Sequence, residues 1–119
     1  MTTYAGSCHC GKVSYEVDVD LSKPSITCNC SICQRTGTVL TFVAPEQFKL
    51  KSGAEALTDY KFGRMNINHK FCSTCGVKSF ATGKRRDGSD VVAVNVRCLE
   101  NIELEKVPTK QVDGRSVPI

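Results

Sequence analysis

Eight cysteines, at positions 8, 10, 28, 30, 33, 72, 75 and 98, carry most of the chemical information in this chain of 119 residues. Seven of them fall in short clusters: Cys8-His-Cys10, Cys28-Asn-Cys-Ser-Ile-Cys33 and Phe71-Cys-Ser-Thr-Cys-Gly76. The sulfurs of a C-x-C or C-x-x-C pair tend to converge on one point, and bridging such close neighbours directly would strain the ring. Short thiolate pairs beside Gly or other small residues are how proteins build tetrahedral sulfur sites for Zn²⁺. The spacing favours zinc, with disulfides and iron–sulfur or redox cysteines as the other chemistries open to such a set.

Seven clustered thiolates divide unevenly between two metals. Four ligands complete a structural site, whereas three keep a position open, the usual mark of a catalytic zinc. Joining one C-x-C to the C-x-x-C assigns Cys8, Cys10, Cys72 and Cys75 to the closed site. Cys28, Cys30 and Cys33 remain, contiguous enough to hold a second metal on one loop. The closed site then staples the N-terminal region to a distant segment of a small fold. Cys98 stands apart in Val91-Val-Ala-Val-Asn-Val-Arg-Cys98, where alternation puts Val92, Val94, Val96 and Cys98 on one apolar face. A free buried thiol is the expectation there, with a fourth ligand for the open site as the alternative. Asn95 and Arg97 on the opposite face are placed to line a pocket or meet water.

The elements that must position these groups are strands. Val13, Tyr15, Val17 and Val19 alternate with Ser14, Glu16, Asp18 and Asp20, as in a half-buried antiparallel strand. Thr38–Ala44 has the β-branched enrichment of a central strand. Phe48–Lys51, Leu57–Phe62, Met65–Phe71 and Val77–Thr82 follow, separated by Pro45-Glu46, Ser52-Gly53 and Gly63-Arg64. Asp87-Gly88 signals a hairpin before a strand over Val91–Leu99. No stretch sustains a 3.6-residue period; one short helical turn is expected through Ile32, Cys33, Gln34 and Arg35. The tail after Pro108 is expected to be loosely held.

Composition bounds the rest. At 13.0 kDa the chain is expected to form one domain over 1–119. With 40% hydrophobic and 24% charged residues, disorder and fibrous repeats are excluded as global descriptions. No apolar run approaches the roughly 18 residues of a membrane span. The N-terminus lacks the basic start and apolar core of a signal peptide, so a cytoplasmic location is expected. The net charge of +4 comes from well-mixed residues, and the one dense basic run, Lys84-Arg85-Arg86, looks like a solvated loop tip. Without a longer basic stripe or interleaved aromatics, nucleic acid is not an expected partner.

Gly6-Ser-Cys-His-Cys-Gly11 leading into a strand, Cys28-Asn-Cys-Ser-Ile-Cys-Gln-Arg35 and Phe71-Cys-Ser-Thr-Cys-Gly76 resemble the glutathione-dependent formaldehyde-activating family, whose module the centromere protein V group shares. The resemblance runs from Tyr4 to about Leu99, with all three motifs in the family's order and spacing. It implies an all-β, zinc-stapled β-tent of packed antiparallel sheets with little helix. It also implies two Zn²⁺ per chain: a structural one on Cys8, Cys10, Cys72 and Cys75, and a catalytic one on Cys28, Cys30 and Cys33. The implied activity is that of an S-(hydroxymethyl)glutathione synthase, formally a carbon–sulfur lyase in reverse, with glutathione and formaldehyde as substrates. The chain is short for the family, which puts part of a glutathione-binding wall in question.

Thiol delivery suits three cysteine ligands, because a coordinated thiol loses its proton and an already anionic site makes the metal a weak Lewis acid. Glutathione carries two carboxylates, and Arg35, just past the last ligand, is the candidate carboxylate clamp; the alternative is an exposed arginine capping a short helix. Lys84, Arg85 and Arg86 come second. His9 is expected to orient a sulfur. His69 is expected to pack as a strand residue, or else to complete the open site or relay a proton. Tyr60 and Asn95 are candidate pocket residues. The rival reading is a zinc-stabilised binding module with no chemistry, or a related enzyme acting on another thiol or aldehyde.

Overall fold

Strand alternation sets the small sheet. Tyr15, Val17 and Val19 of β2 (Ser14–Val19) are buried while Ser14, Glu16 and Asp18 are only partly covered, the period-2 pattern of a strand with one face on the core. β1 (Thr2–Ser7) and β5 (Phe48–Ser52) flank it as antiparallel neighbours. The computed structural model describes residues 1–63, 65–85 and 87–116. Its second sheet has seven strands in the order β10-β3-β4-β9-β8-β7-β6. These are β3 (Ser25–Cys28), β4 (Leu40–Val43), β6 (Leu57–Tyr60), β7 (Asn68–Cys72), β8 (Lys78–Lys84), β9 (Asp90–Asn95) and β10 (Thr109–Val112). Every pairing is antiparallel except β10 with β3. Among the described residues the only α-helix is α1 (Ser31–Thr36), and short 3₁₀ turns join several strands. The expected β protein of packed, mostly antiparallel sheets with little helix is what forms.

The two sheets meet through aromatic rings. Tyr15 of β2 and Phe48 of β5 pack with Phe80 of β8 at centroid separations of 5.0, 6.0 and 4.6 Å for the three pairs. Val13, Val17, Val92, Val94 and Val96 complete the fully enclosed centre. A buried tyrosine removes roughly 200 Å² from water, about 5 kcal/mol at 25 cal/mol per Å². That ring needs Gly6 opposite it in β1: a Cβ there would lie 2.5 Å from Tyr15 Cε2.

Several expected boundaries shift for physical reasons. The strand expected over Val91–Leu99 ends at Asn95, because the Asn95 side chain accepts the Arg97 N–H (3.1 Å) and turns Val96–Cys98 into a 3₁₀ turn. Cys98 therefore leaves the valine face and is half-buried. Asn95 is buried rather than lining a pocket: it also accepts from Val39 N–H and donates to the Lys78 carbonyl. The strand expected from Met65 starts at Asn68, since Met65 holds a positive φ of 62°. The segment after Pro108, expected to be loose, instead forms β10 and pairs with β3 in register Thr109↔Ser25 through Val112↔Cys28. β1 and β3 are strands beyond those anticipated.

Candidate metal centres

Two turns build the four-sulfur cluster. After β1 the chain folds back with Cys8 N–H to the Val13 carbonyl (3.0 Å) and Gly11 N–H to the Cys8 carbonyl (3.3 Å). After β7, Gly76 N–H closes on the Cys72 carbonyl (2.7 Å), and a φ of 80° at Gly76 makes that turn possible. Lys12 Nζ ties one turn to the other by donating to Thr74 Oγ1 at 3.1 Å. The Sγ atoms of Cys8, Cys10, Cys72 and Cys75 all lie within 4.8 Å of one another. Cys10 Sγ is 3.6 Å from both Cys8 Sγ and Cys72 Sγ. Zinc–sulfur bonds of about 2.3 Å place tetrahedral sulfurs roughly 3.8 Å apart, whereas a disulfide needs about 2.05 Å. The arrangement fits a tetrahedral metal.

Backbone amides prepare this cluster for negative charge. N–H groups of Val77 and Cys10 donate to Cys75 and pull its pKa down to about 6. Cys72 is lowered by the N–H groups of Cys75 and Thr74 against the opposing effect of burial. Val13 N–H points at Cys8 Sγ from 3.4 Å. Such N–H···S⁻ donors stabilise the thiolate.

The three-sulfur cluster sits where β3 runs into α1. Cys28 ends the strand, Cys30 is the N-cap of the helix with no side-chain cap bond, and Cys33 is buried on its inner face. Gly37, at φ 69°, ends the helix by donating to the Cys33 carbonyl at 2.9 Å. The Sγ atoms of Cys28, Cys30 and Cys33 lie within 4.8 Å of one another. Burial opposes ionisation of Cys30, but the Cys33 N–H and thiol, the Cys28 thiol and the Ile32 N–H outweigh it and its pKa falls. Burial and the Cys30 thiolate push Cys33 up to about 12. Of these two thiols, Cys30 is therefore the more readily ionised. A bound cation would reverse the Cys33 shift, since a coordinated thiol is deprotonated.

Among the described residues, no fourth His, Cys, Asp or Glu side chain joins this cluster. Cys98 does not join it: burial and, less strongly, the charges of Cys8 and Cys75 raise its thiol pKa, and its Sγ approaches the Lys78 carbonyl at 3.9 Å. His69 is a buried strand residue whose Nδ1 is 2.8 Å from Lys78 Nζ. Lys78 is the donor, so His69 accepts through Nδ1 and carries its proton on Nε2, a buried atom without a hydrogen-bond partner. Burial and the Lys78 charge hold the His69 pKa down to about 4. Burial lowers Lys78 in turn, opposed by the Cys33 and Cys30 thiolates.

Beside α1 opens a groove of about 280 Å³ lined by Ser31, Ile32, Arg35, Tyr60 and Phe62. Phe62 stacks on His69 with centroids 5.3 Å apart, and Tyr60 stacks on Phe62 at 5.7 Å. Arg35 is exposed, and one guanidinium nitrogen donates to the Ser31 carbonyl at 2.9 Å. It lines the groove and folds back one turn along α1 without capping the helix end, which Gly37 closes. Tyr60 is a groove residue as expected; Asn95 is not. His9 is exposed on its turn. Lys84 pairs with Asp90 at 2.6 Å across the β8–β9 hairpin, whose tip holds Asp87 and Gly88, and Arg86 lies outside the described residues. Lys78 and Phe62 were not anticipated. Its place three residues after Cys75, by alternation on the same strand face as the apolar Phe80, is the signal that would have singled out Lys78.

A mostly β fold carrying one four-thiol and one three-thiol centre defines a class of small cysteine-clustered β proteins. Residues 3–112 match the family described as glutathione-dependent formaldehyde-activating enzyme, and the chain belongs to that family. The chain is also similar to a Rhodobacter sphaeroides protein of known crystal structure, with a TM-score of 0.76 and 34% identity. That match covers 89% of this chain and 99% of the other. No helix among the described residues is long and apolar enough to cross a membrane.

Proposed function

We propose that this chain is a zinc enzyme of the carbon–sulfur lyase type that joins glutathione to formaldehyde, acting as one zinc-binding unit over residues 1–119. The observation that carries the reading is a trio of converging thiols with no fourth protein ligand among the described residues, next to a groove bearing a cation. In this reading Cys8, Cys10, Cys72 and Cys75 hold a structural Zn²⁺, and Cys28, Cys30 and Cys33 hold the catalytic one. Bound there, the metal would supply a positive charge that keeps an incoming thiol ionised at neutral pH.

The chain's own residues do the rest. The groove receives one arm of the tripeptide, since about 280 Å³ is too small to enclose a whole ligand of that size. Arg35 takes a glutathione carboxylate with the guanidinium nitrogens not used on Ser31. Lys78 keeps a cation near Cys30 and Cys33, offsetting the charge that gathers as another thiolate arrives. The sulfur–carbon bond forms at the carbonyl carbon, the C=O π bond opens onto oxygen, and the thiol's proton ends on that oxygen. Because thiols add to formaldehyde without help, placing the two reactants together is most of what the protein contributes. Eight reduced thiols suit a reducing compartment, taken here as the cytoplasm.

The test is metal content with calorimetric glutathione titration, followed by a formaldehyde-consumption assay. Two zincs per chain and glutathione binding that vanishes in Cys30→Ser, with accelerated formaldehyde capture, support the reading. Two zincs with no thiol binding overturn it, and would make both centres staples of a binding module.

A further inference from the structure

β10 and the residues after it, through Ser116, lie along the three-cysteine loop. β10 pairs with β3 up to Val112↔Cys28, and Asn29 N–H continues the ladder by donating to the Val112 carbonyl at 3.3 Å. Thr27 Oγ1 donates to Gln111 Oε1 at 2.7 Å. Asn29, the one residue between Cys28 and Cys30, is then held at both ends of its amide. Its Nδ2 donates to Asp113 Oδ1 and its Oδ1 accepts Arg115 N–H, each at 3.0 Å. The Arg115 guanidinium donates to Gln34 on α1, and Ser116 Oγ steadies Asp113 Oδ2 at 2.7 Å. Between these anchors Gly114 passes so close that a Cβ on it would lie 2.3 Å from Cys28 Sγ and 3.2 Å from Cys30 Cβ. Only a residue without a side chain fits there.

Within Cys28-Asn-Cys-Ser-Ile-Cys33 the local bonds centre on Cys30, and Cys28 Sγ receives only a long one, from Cys30 N–H at 3.5 Å. We propose that residues 109–116 are the retaining strap of this centre, with Asn29 and Gly114 as positioning residues that hold Cys28 and Cys30 in ligating geometry. Groups that orient metal ligands from behind typically change metal affinity about 10- to 100-fold when removed. The strap should therefore govern how long the three-cysteine centre keeps its metal, while the four-cysteine centre, built on other turns, is unaffected. This inference rests on Cys28, Cys30 and Cys33 binding a metal, and not on which reaction follows.

The experiment follows zinc release from the fully loaded, full-length protein into a chromogenic chelator, comparing wild type, Asn29→Ala, Asp113→Asn and Gly114→Ala. Cobalt(II)-substituted samples are read in parallel for the thiolate charge-transfer band. The expected result is release of one equivalent about 10- to 100-fold faster in Asn29→Ala and Gly114→Ala. Asp113→Asn, which keeps shape but loses a charged acceptor, should speed it several-fold. In all three the slower equivalent keeps its wild-type rate, and in the first two the cobalt band of the labile equivalent shifts. The slower equivalent also reports that each variant is folded. Wild-type release of both equivalents, in variants whose residues 109–116 exchange amide hydrogens faster, overturns the strap. A wild-type protein that binds a single equivalent overturns the metal assignment and the strap with it. Absence of formaldehyde chemistry with the release pattern intact overturns the proposed reaction alone.

Discussion

Replacing Cys10 with serine should unstaple the fold at a cost that can be worked out in advance. Cys10 is the exposed member of its cluster, so a serine there disturbs packing less than at Cys8 or Cys72, both buried. What it removes is one ligand of a centre joining residues 62 positions apart. On the chain-entropy account of a cross-link, closing a loop of that length constrains the unfolded chain by about 4 kcal/mol. A chain of 119 residues has an unfolding entropy near 250 cal/mol/K at about 2.1 per residue, so each kcal/mol moves Tm by about 4 °C. The expected loss is up to roughly 15 °C, the full value being reached when the three remaining thiols, Cys8, Cys72 and Cys75, release the metal. The matched variant is Cys30→Ser at the other centre. There the outermost ligands, Cys28 and Cys33, are five positions apart, for which the same relation gives at most about 2 kcal/mol. Serine is also a favourable residue at the N-cap that Cys30 occupies, so α1 is preserved. Thermal unfolding at a fixed free-zinc concentration, needed because bound metal adds stability by mass action, should show Cys10→Ser falling at least twice as far as Cys30→Ser. Equal shifts, or a larger one for Cys30→Ser, would refute the division into a fold-closing and a local centre.

Three further outcomes are expected. Gly6→Ala drives a methyl into the buried Tyr15 ring, an overpacking that should cost about 1–3 kcal/mol in denaturant unfolding and leave metal content unchanged. His69 has a folded pKa near 4, below the ordinary value near 6.5, so the unfolded chain binds its proton first and stability falls as pH drops through that window. Solvent screening keeps the effect to about 1 kcal/mol, and His69→Phe should show a shallower acid limb than wild type in chemical denaturation at pH 4–7. Arg35→Ala should weaken glutathione binding about 3- to 10-fold by calorimetry, the modest value of an exposed charge-assisted contact, with both metals retained.

The parts of this molecule that were legible in the sequence are those written in local spacing. The alternation from Val13 to Asp20 marks β2 and its buried face, and C-x-C with C-x-x-C marks the pairs of sulfurs that converge. Gly76 and Gly37 announce the turns that close each cluster, since both need positive φ. What was not legible depends on partners far away in the chain. Thr109-Lys-Gln-Val112 has no strand signature of its own and becomes β10 because β3 offers it an open edge. Asn95 alternates onto the outward face by period, yet it is buried, because its amide is needed to close the turn after β9. Lys78 sits inside with its ammonium donating to His69 Nδ1, on the side of the fold that holds Cys30 and Cys33. Gly114 shows nothing in a sequence, where it is one glycine of nine; only its approach to Cys28 gives it meaning.

In the proposed reading the two centres meet the same electrostatic problem by different means, one as a staple and the other as a reacting site. A divalent cation with four thiolates carries two net negative charges. At the four-cysteine centre that excess is met by fixed backbone donors, the N–H groups of Val77, Cys10, Cys75, Thr74 and Val13, and by water at the exposed Cys10. Those donors belong to the two turns themselves, so the centre is complete once the turns have formed. At the three-cysteine centre the chain supplies one thiolate fewer, and the charge of a fourth ligand must be met when that ligand arrives. Lys78 is already in place for it, buried and held by His69. Arg35 stands at the rim of the groove, with Tyr60 and Phe62 as the apolar wall beside it. A buried ammonium is costly unless it is paired, and in the proposed reading the anionic cluster that includes Cys30 and Cys33 is its partner.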